Sequence, residues 1–484
     1  MQNASTLSNS TATLALPPSA PAAARALFAL LRRLQVGTLD VQLPDGGQVR
    51  FGSGGAGEPH AAVRLHNWNV CSAALRAGDI GFAESFIAGD WAANDLVALL
   101  SLFIANRDAV ESVVYGTWWG NLINRARHLF NRNSRAGSKR NIHAHYDLGN
   151  PFYRLWLDET MTYSSAWFNG DLQQATATAQ QAKMRRTLDE CRVRPGDKVL
   201  EIGCGWGGLA ECAARDFGAQ VTGVTLSAEQ LAFGQDRLAR AGLAAQADLR
   251  FQDYRDISDG PFDAIVSVEM FEAVGREYWG SYFKTLFEQL KPGGRACVQS
   301  ITIADNLFER YVAGTDFIQQ YIFPGGLLPC PQAFRAEAVK AGLVVENELA
   351  FGLDYAETLR RWRQDFLHQD TQVRGLGFDT RFMRTWEFYL AYCEAAFAAG
   401  STDVMQFTLR RPGGRSFIGA DCCAPRRCWR PGRCGWQDPA GWRWPQGLPR
   451  QTPAQRQLPG STRRPRRHPN SMMSCPARAG GALA

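Results

Sequence analysis

Gly203, Gly205 and Gly207 stand at alternate positions after the apolar run Val199-Leu200-Glu201-Ile202, and a helix-compatible segment follows directly. Residues without a Cβ let the chain turn at positive φ and bring bare backbone against a ligand, so this spacing suits a nucleotide-like cofactor. A phosphate loop would carry a Lys and a Ser or Thr after the last glycine, and none is there. A nicotinamide site would put an acid at the end of the second strand, but the run from Gln220 ends Thr225-Leu226-Ser227, and Ala228-Glu229-Gln230 opens a helix. The form E-x-G-C-G-x-G in this context points to S-adenosylmethionine, a methyl donor. Further candidates for chemistry are Glu272, at an apolar helix start, and Cys393, in an apolar helix between aromatics. Each also has a plain reading: a capping carboxylate and an inert core thiol.

The elements that must position these groups alternate from Asn141 to Arg411. Lys198 to Ile202, Gln220 to Thr225, Leu249 to Gln252, Phe262 to Ser267 and Gly294 to Ile303 read as strands separated by helical segments. That pattern predicts an α/β fold, a doubly wound, Rossmann-like, mainly parallel sheet. Ligands bind such sheets at the carboxyl ends of the strands. Those ends carry Gly203, Thr225, Asp253-Tyr254, Glu269 to Glu272 and Gln299 to Ile301.

The chain has 484 residues, more than one domain of ~100–200 residues. Residues 25–110 predict a small α+β domain, helical over Ala22 to Leu34 and strand-like from Gly37 to Phe51 around the turn Pro44-Asp45-Gly46-Gly47. Residues 111–140 form a basic linker with Trp118 and Trp119, suited to a membrane surface or to a solvated helix. Residues 1–24, rich in Ala, Ser, Thr and Pro without a basic start, predict a disordered leader and a cytoplasmic protein. No apolar run approaches the ~20 residues of a membrane span.

The net charge of +7 is unevenly placed. Residues 412–484 hold 13 Arg against Asp421 and Asp438, about +11, which leaves about −4 on everything before them. That Arg- and Pro-rich tail predicts disorder or out-of-frame translation. The seven cysteines before it show no Cys-x-x-Cys spacing, as expected of reduced thiols without a metal site.

Several motifs occur in one order: His145-Tyr146-Asp147-Leu148-Gly149-Asn150, Thr162-Tyr163-Ser164-Ser165, the glycine turn, Gln252-Asp253-Tyr254-Arg255-Asp256, Val268-Glu269-Met270-Phe271-Glu272-Ala273-Val274-Gly275, Tyr321-Ile322-Phe323-Pro324-Gly325-Gly326 and Tyr389-Leu390-Ala391-Tyr392-Cys393. From about Gln35 to Arg411 the chain resembles the cyclopropane-fatty-acyl-phospholipid synthases and the related mycolic-acid methyltransferases. The resemblance implies S-adenosylmethionine contacts at Tyr163, Ser164, Glu201, Gly203, Cys204, Gly205, Gly207, Thr225, Leu226, Gln230, Tyr254 and Arg255. It implies a bound bicarbonate held by Ser165 and Ile301 through main chain and by Glu272, Gln299 and Tyr355, with Cys393 as the active-site cysteine. It further implies an unsaturated phospholipid engaged partly by the N-terminal domain, peripheral attachment to the inner membrane face, and a possible homodimer.

The implied chemistry is methyl transfer to a cis double bond, leaving a carbocation that aromatic faces such as Phe271, Tyr321, Phe323 and Tyr355 stabilise. Bicarbonate then removes a proton and a cyclopropane ring closes. Two departures stand out: Ser165 where a cysteine is usual, and Gln299 where the best-known synthases have histidine. A carboxamide donates a hydrogen bond but carries no proton, which leaves open a methyl-branched or unsaturated product without a ring. A lipid-binding protein with a vestigial methyl-donor site would need a degraded glycine turn. A nucleic-acid methyltransferase has only the Arg-rich tail in its favour, so no nucleic-acid partner is expected.

Overall fold

Alternating residues on either side of the Pro44–Gly47 turn make a hairpin. Strand β1 (Thr38–Gln42) pairs antiparallel with β2 (Gln48–Phe51), and the Leu43 N–H donates to the Gly47 carbonyl at 2.7 Å. β3 (His60–Leu65) joins β1 in parallel and β4 (Trp91–Ala93) closes the sheet, in the order β2-β1-β3-β4. Three helices accompany it: α1 (Ala22–Leu31), α2 (Asn69–Ala88, kinked at Ala77-Gly78) and α3 (Leu96–Ala105). The computed structural model describes residues 16–55, 57–108 and 148–413. The expected leader up to residue 15, the linker with Trp118 and Trp119, His145 and the tail beyond residue 413 lie outside the described residues.

The second sheet forms from the apolar runs. Its parallel strands are β5 (Lys198–Ile202), β6 (Gln220–Thr225), β7 (Ala247–Phe251), β8 (Phe262–Val268) and β9 (Leu290–Ile303). β10 (Val344–Ala350) and β11 (Thr402–Arg410) complete the order β10-β11-β9-β8-β5-β6-β7, with β11 antiparallel to both its neighbours. Alternate residues of each strand face opposite cores, so Leu200, Ile202 and Ile265 join one apolar cluster while Val199, Ala264 and Val266 join the other.

Helices cover both faces: α4 (Asn150–Tyr153), α5 (Thr176–Glu190), α6 (Gly208–Phe217), α7 (Ala228–Arg240), α8 (Trp279–Gln289), α9 (Asp305–Ala313), α10 (Phe317–Tyr321), α11 (Pro331–Lys340), α12 (Gly352–His368), α13 (Asp370–Gly375) and α14 (Thr380–Ala398). β5 has β6 on one side and β8 on the other, so the chain reverses its winding there and the loop after β5 opens into a crevice.

The N-terminal layer has no core of its own. Its Phe28, Phe86 and Trp91 belong to one continuous apolar cluster with Trp362 and Phe366 of α12 and Trp386 and Phe388 of α14. Phe82 stacks on Trp91 at 4.4 Å and meets Phe388 edge-on at 6.3 Å. The residues of the expected small α+β domain bury their apolar face against the α/β unit, and α14 is the shared wall. Among the described residues no helix is long and apolar enough to cross a membrane.

Candidate functional site: a glycine-floored cleft beside a buried carboxylate pair

Ile202 ends β5 and the chain turns at Gly203, whose φ is +86°. A Cβ there would lie 2.9 Å from Met270 Cγ, inside contact distance, so only glycine fits both backbone and space. Around this turn is a cleft of about 170 Å³ lined by Tyr163, Ser164, Glu201, Gly203, Cys204, Gly205, Thr225, Leu226, Gln230 and Tyr254. Lys183, Gln252, Glu269 and Met270 line it as well. Ten of the twelve residues expected to touch the cofactor therefore share one cavity.

The other two do not. Gly207 is in the left-handed conformation that starts α6, and a Cβ on it would meet Gly234 Cα of α7 at 3.2 Å. Its lack of a side chain serves helix packing. Arg255 is drawn to Asp253 by bonds of 2.8 and 2.5 Å and lies outside the cleft lining. Phe271, expected to face a cation, is fully buried among Trp279, Tyr282, Phe283 and Phe334 and belongs to the core.

Inside the cleft, Lys183 Nζ donates to Ser164 Oγ at 2.6 Å, and Tyr163 and Tyr389 share a hydroxyl bond of 2.7 Å. Thr225 Oγ1 donates to Gln230 Oε1 at 3.2 Å, and Ser227 caps α7 through Gln230 N–H. Lys183 escaped the sequence reading, because one Lys in a polar helix looks solvated until its burial is known. Burial lowers its ammonium to about 8, against the opposing pull of Glu269, Asp158 and Glu201.

Glu201 is buried and one of its carboxylate oxygens, Oε2, has no hydrogen-bond partner among the described residues. A buried acceptor without a donor calls for one. The ammonium of an amino-acid-bearing cofactor would supply it, so the glycine floor and this oxygen together fit S-adenosylmethionine. Burial raises the Glu201 carboxyl to about 8, restrained by the Ala210 N–H and by Lys183. The sign of the resulting pH dependence follows. The folded protein holds this proton up to about pH 8, whereas an unfolded Glu loses it near ~4.3. Its contribution is therefore present in full below that lower value and is lost as the pH rises through 8. Glu201→Gln is expected to flatten the decline in stability between acid and mildly alkaline pH. Urea midpoints measured across that range would show it, and parallel curves for both proteins would refute it.

Beyond the cleft floor lie the groups expected to hold an anion, and they close upon the protein itself. Glu269 Oε1 accepts from the Ser165 N–H at 2.9 Å and from Gln299 Nε2 at 2.8 Å, while its Oε2 accepts from the Tyr355 hydroxyl at 2.8 Å. The Ile301 N–H donates to Glu272 Oε1, which also accepts from Ser300 Oγ at 3.1 Å. Ser165, Gln299, Ile301, Tyr355 and Glu272 are thus brought together as expected. Bicarbonate among them does not fit: three of its expected donors already serve Glu269 and a fourth serves Glu272.

Gln299 is oriented from behind. Its Oε1 accepts from Gln406 Nε2 at 3.0 Å, and Gln406 Oε1 in turn accepts from Arg186. Arg186 can only donate, so each amide must turn its NH2 toward the next carbonyl and finally toward Glu269. Burial, then the charge of Glu269, raises the Glu272 carboxyl to about 8, so it keeps its proton at neutral pH. Its Oε2 is buried without a partner among the described residues. Cys393 is half-buried on α14, and burial pushes its thiol up, so it is no thiolate at neutral pH.

Sheet order and glycine cleft together define a Rossmann-like methyltransferase. Residues 133–407 match the mycolic acid cyclopropane synthetase family. Tuberculostearic acid methyltransferase UfaA1 of Mycobacterium tuberculosis is 41% identical over 370 residues, spanning 74% of this chain and 86% of that protein. The cyclopropane-fatty-acyl-phospholipid synthase of Escherichia coli K12 is 34% identical over 73% of this chain and 89% of its own length. The crystal structure of mycolic acid cyclopropane synthase CmaA1, complexed with SAH and CTAB, superposes with a TM-score of 0.53 at 31% identity, covering 56% of this chain and 98% of that one. The chain belongs to this family of lipid methyltransferases.

Proposed function

We propose that the chain uses S-adenosylmethionine to methylate the cis double bond of an unsaturated acyl chain in a membrane phospholipid, and that the resulting cation loses a proton and closes a cyclopropane ring. The observation that carries this reading is the adjacency of a glycine-floored cleft and a buried carboxylate pair, with Glu269 lining the one and belonging to the other. When bound, the cofactor supplies an electrophilic methyl group. Gly203, Glu201 and Gln230 would hold it, and the buried, mostly apolar surroundings of Tyr355 and Tyr389 would keep water from an alkene bound beside them. Excluding water matters because an alkene is a weak nucleophile and a carbocation is trapped by any water present.

An acyl chain also needs an apolar compartment. A second cavity of about 250 Å³ lies between the N-terminal layer, α9 and α14, lined by Leu27, Phe28, Val63, Phe103, Leu307 and Phe388. Arg107 and Arg310 are among its polar residues, together with Asp79 and Asp316, and the two guanidinium groups would serve to meet a phosphate headgroup. An apolar cavity with cations among its lining supports a peripheral encounter with a phospholipid membrane.

A second reading, a methyl-branched unsaturated chain without a ring, is favoured by Gln299 and by the similarity to a tuberculostearic acid methyltransferase. Both readings share the first step and differ in which carbon surrenders the proton. Mass spectrometry of lipids from cells expressing the chain tests them together: either product is heavier than its parent by one methylene unit. Mild hydrogenation separates them, since a branched alkene takes up hydrogen and the ring does not. Unmodified lipids would overturn both.

A further inference from the structure

We propose that Glu269 is the proton acceptor of the reaction, a carboxylate of the chain itself seated among the groups expected to hold a bicarbonate, so that turnover needs no exogenous anion. The inference rests on the methyl-transfer reading above. Four observations lead to it. The Ser165 N–H, the Gln299 amide and the Tyr355 hydroxyl all point at one carboxylate, satisfying three of its acceptor sites. That carboxylate also lines the cofactor cleft, which Glu272 does not, so it is the member of the pair that can meet a reacting carbon. Its own backbone lies at φ +49°, the left-handed region that favours glycine. A side chain kept there against backbone preference marks a position held for its carboxylate. Finally, the Arg186–Gln406–Gln299 chain fixes the donor that faces it.

Burial pushes the Glu269 carboxyl above the ordinary range, while Lys183 and the three donors restrain the rise. The neighbouring Glu272 keeps its proton, while the three donors aimed at Glu269 favour its ionised form, the division of roles expected of paired carboxylates. The proton step balances as follows. Once the new methyl is on the acyl chain, one of its C–H bonds breaks and the proton passes to a Glu269 oxygen. The electron pair of that bond forms the third ring bond to the cationic carbon, or a double bond if the hydrogen comes from the adjoining chain carbon. Glu269 returns the proton to solvent after product leaves.

The test uses the full chain, vesicles of dioleoyl phosphatidylglycerol and S-adenosylmethionine. Wild type is expected to turn over equally in carbon-dioxide-free buffer and in the same buffer with bicarbonate. Glu269→Gly suits the left-handed backbone and opens the anion space. It should lose at least about a hundredfold in turnover while still binding S-adenosylmethionine, then recover saturably with bicarbonate or formate. Glu269→Gln should lose as much and not recover, because its amide fills the space. The proposal is overturned by a wild type that needs bicarbonate, by either variant within about threefold of wild type, or by a Gly variant that neither anion restores. Binding of isotope-labelled bicarbonate, followed by NMR without lipid, is expected for Glu269→Gly and not for wild type. That readout needs no substrate, so a wild type inactive on vesicles would count against the functional reading and leave this inference to the binding result.

Discussion

Replacing Gly203 by valine is expected to abolish S-adenosylmethionine binding while leaving the sheet folded. Two independent penalties act at this position. The backbone is at φ +86°, where a β-branched side chain is strained by about 1–3 kcal/mol. The added Cβ would also press on Met270 Cγ at 2.9 Å and Cβ at 3.0 Å. Met270 follows Glu269 directly, so relief by displacement would disturb the carboxylate pair as well as the floor of the cleft. Titration calorimetry should then show at least about a hundredfold weaker binding, equal to ~2.8 kcal/mol. The rest of β5 keeps its partners in β6 and β8, so circular dichroism should report a native fold. Wild-type affinity in the variant would remove the glycine turn from the cofactor site.

The contrast between Gly203 and Gly207 shows how far spacing can be read. Both have positive φ and both belong to the motif, yet only Gly203 borders the cleft. Gly207 instead admits α7, and no pattern in one dimension separates close approach to a ligand from close approach to a helix. The central strands β5 and β8 were legible because each is an apolar run bounded by turn residues, the signature of a strand buried on both faces. β10 was not. Val344-Val345-Glu346-Asn347-Glu348-Leu349-Ala350 lies at the sheet edge, mostly exposed, and its charged residues dilute the alternation on which a strand assignment rests.

The carboxylate pair was half legible. Glu272 could be singled out, and the surrounding donors too, because family resemblance supplied them. Glu269 went unassigned although it stands three residues away, since its three donors come from positions 104, 30 and 86 residues distant in the chain. Gln406, which sets the orientation of Gln299, is 107 residues away on an antiparallel strand. Two carboxylates at the carboxyl end of the fourth parallel strand were the available signal. Which of them meets the cofactor cleft is a property of the folded register.

Gln299→Leu should cost both stability and turnover, and the two losses have different origins. The side chain is fully buried between β8 and β11, and leucine matches its volume without its polar atoms. Gln406 Nε2 would lose one of its two acceptors and keep Thr187 Oγ1 at 3.0 Å, whereas Glu269 Oε1 would lose one of its two donors. Depriving buried groups of partners costs about 1–3 kcal/mol each, more for a charge, so destabilisation of roughly 3 kcal/mol is expected from urea denaturation. The turnover loss acts through the carboxylate. With fewer donors on its charged form, Glu269 becomes harder to ionise, and its carboxyl should rise further above the range that burial already imposes. Turnover on unsaturated vesicles is then expected to fall at least about tenfold at neutral pH and to recover partly as the pH is raised. A purely structural amide would give the stability loss with an unchanged pH profile. That outcome would separate Gln299 from the proton transfer and leave it as a strut between β9 and β11.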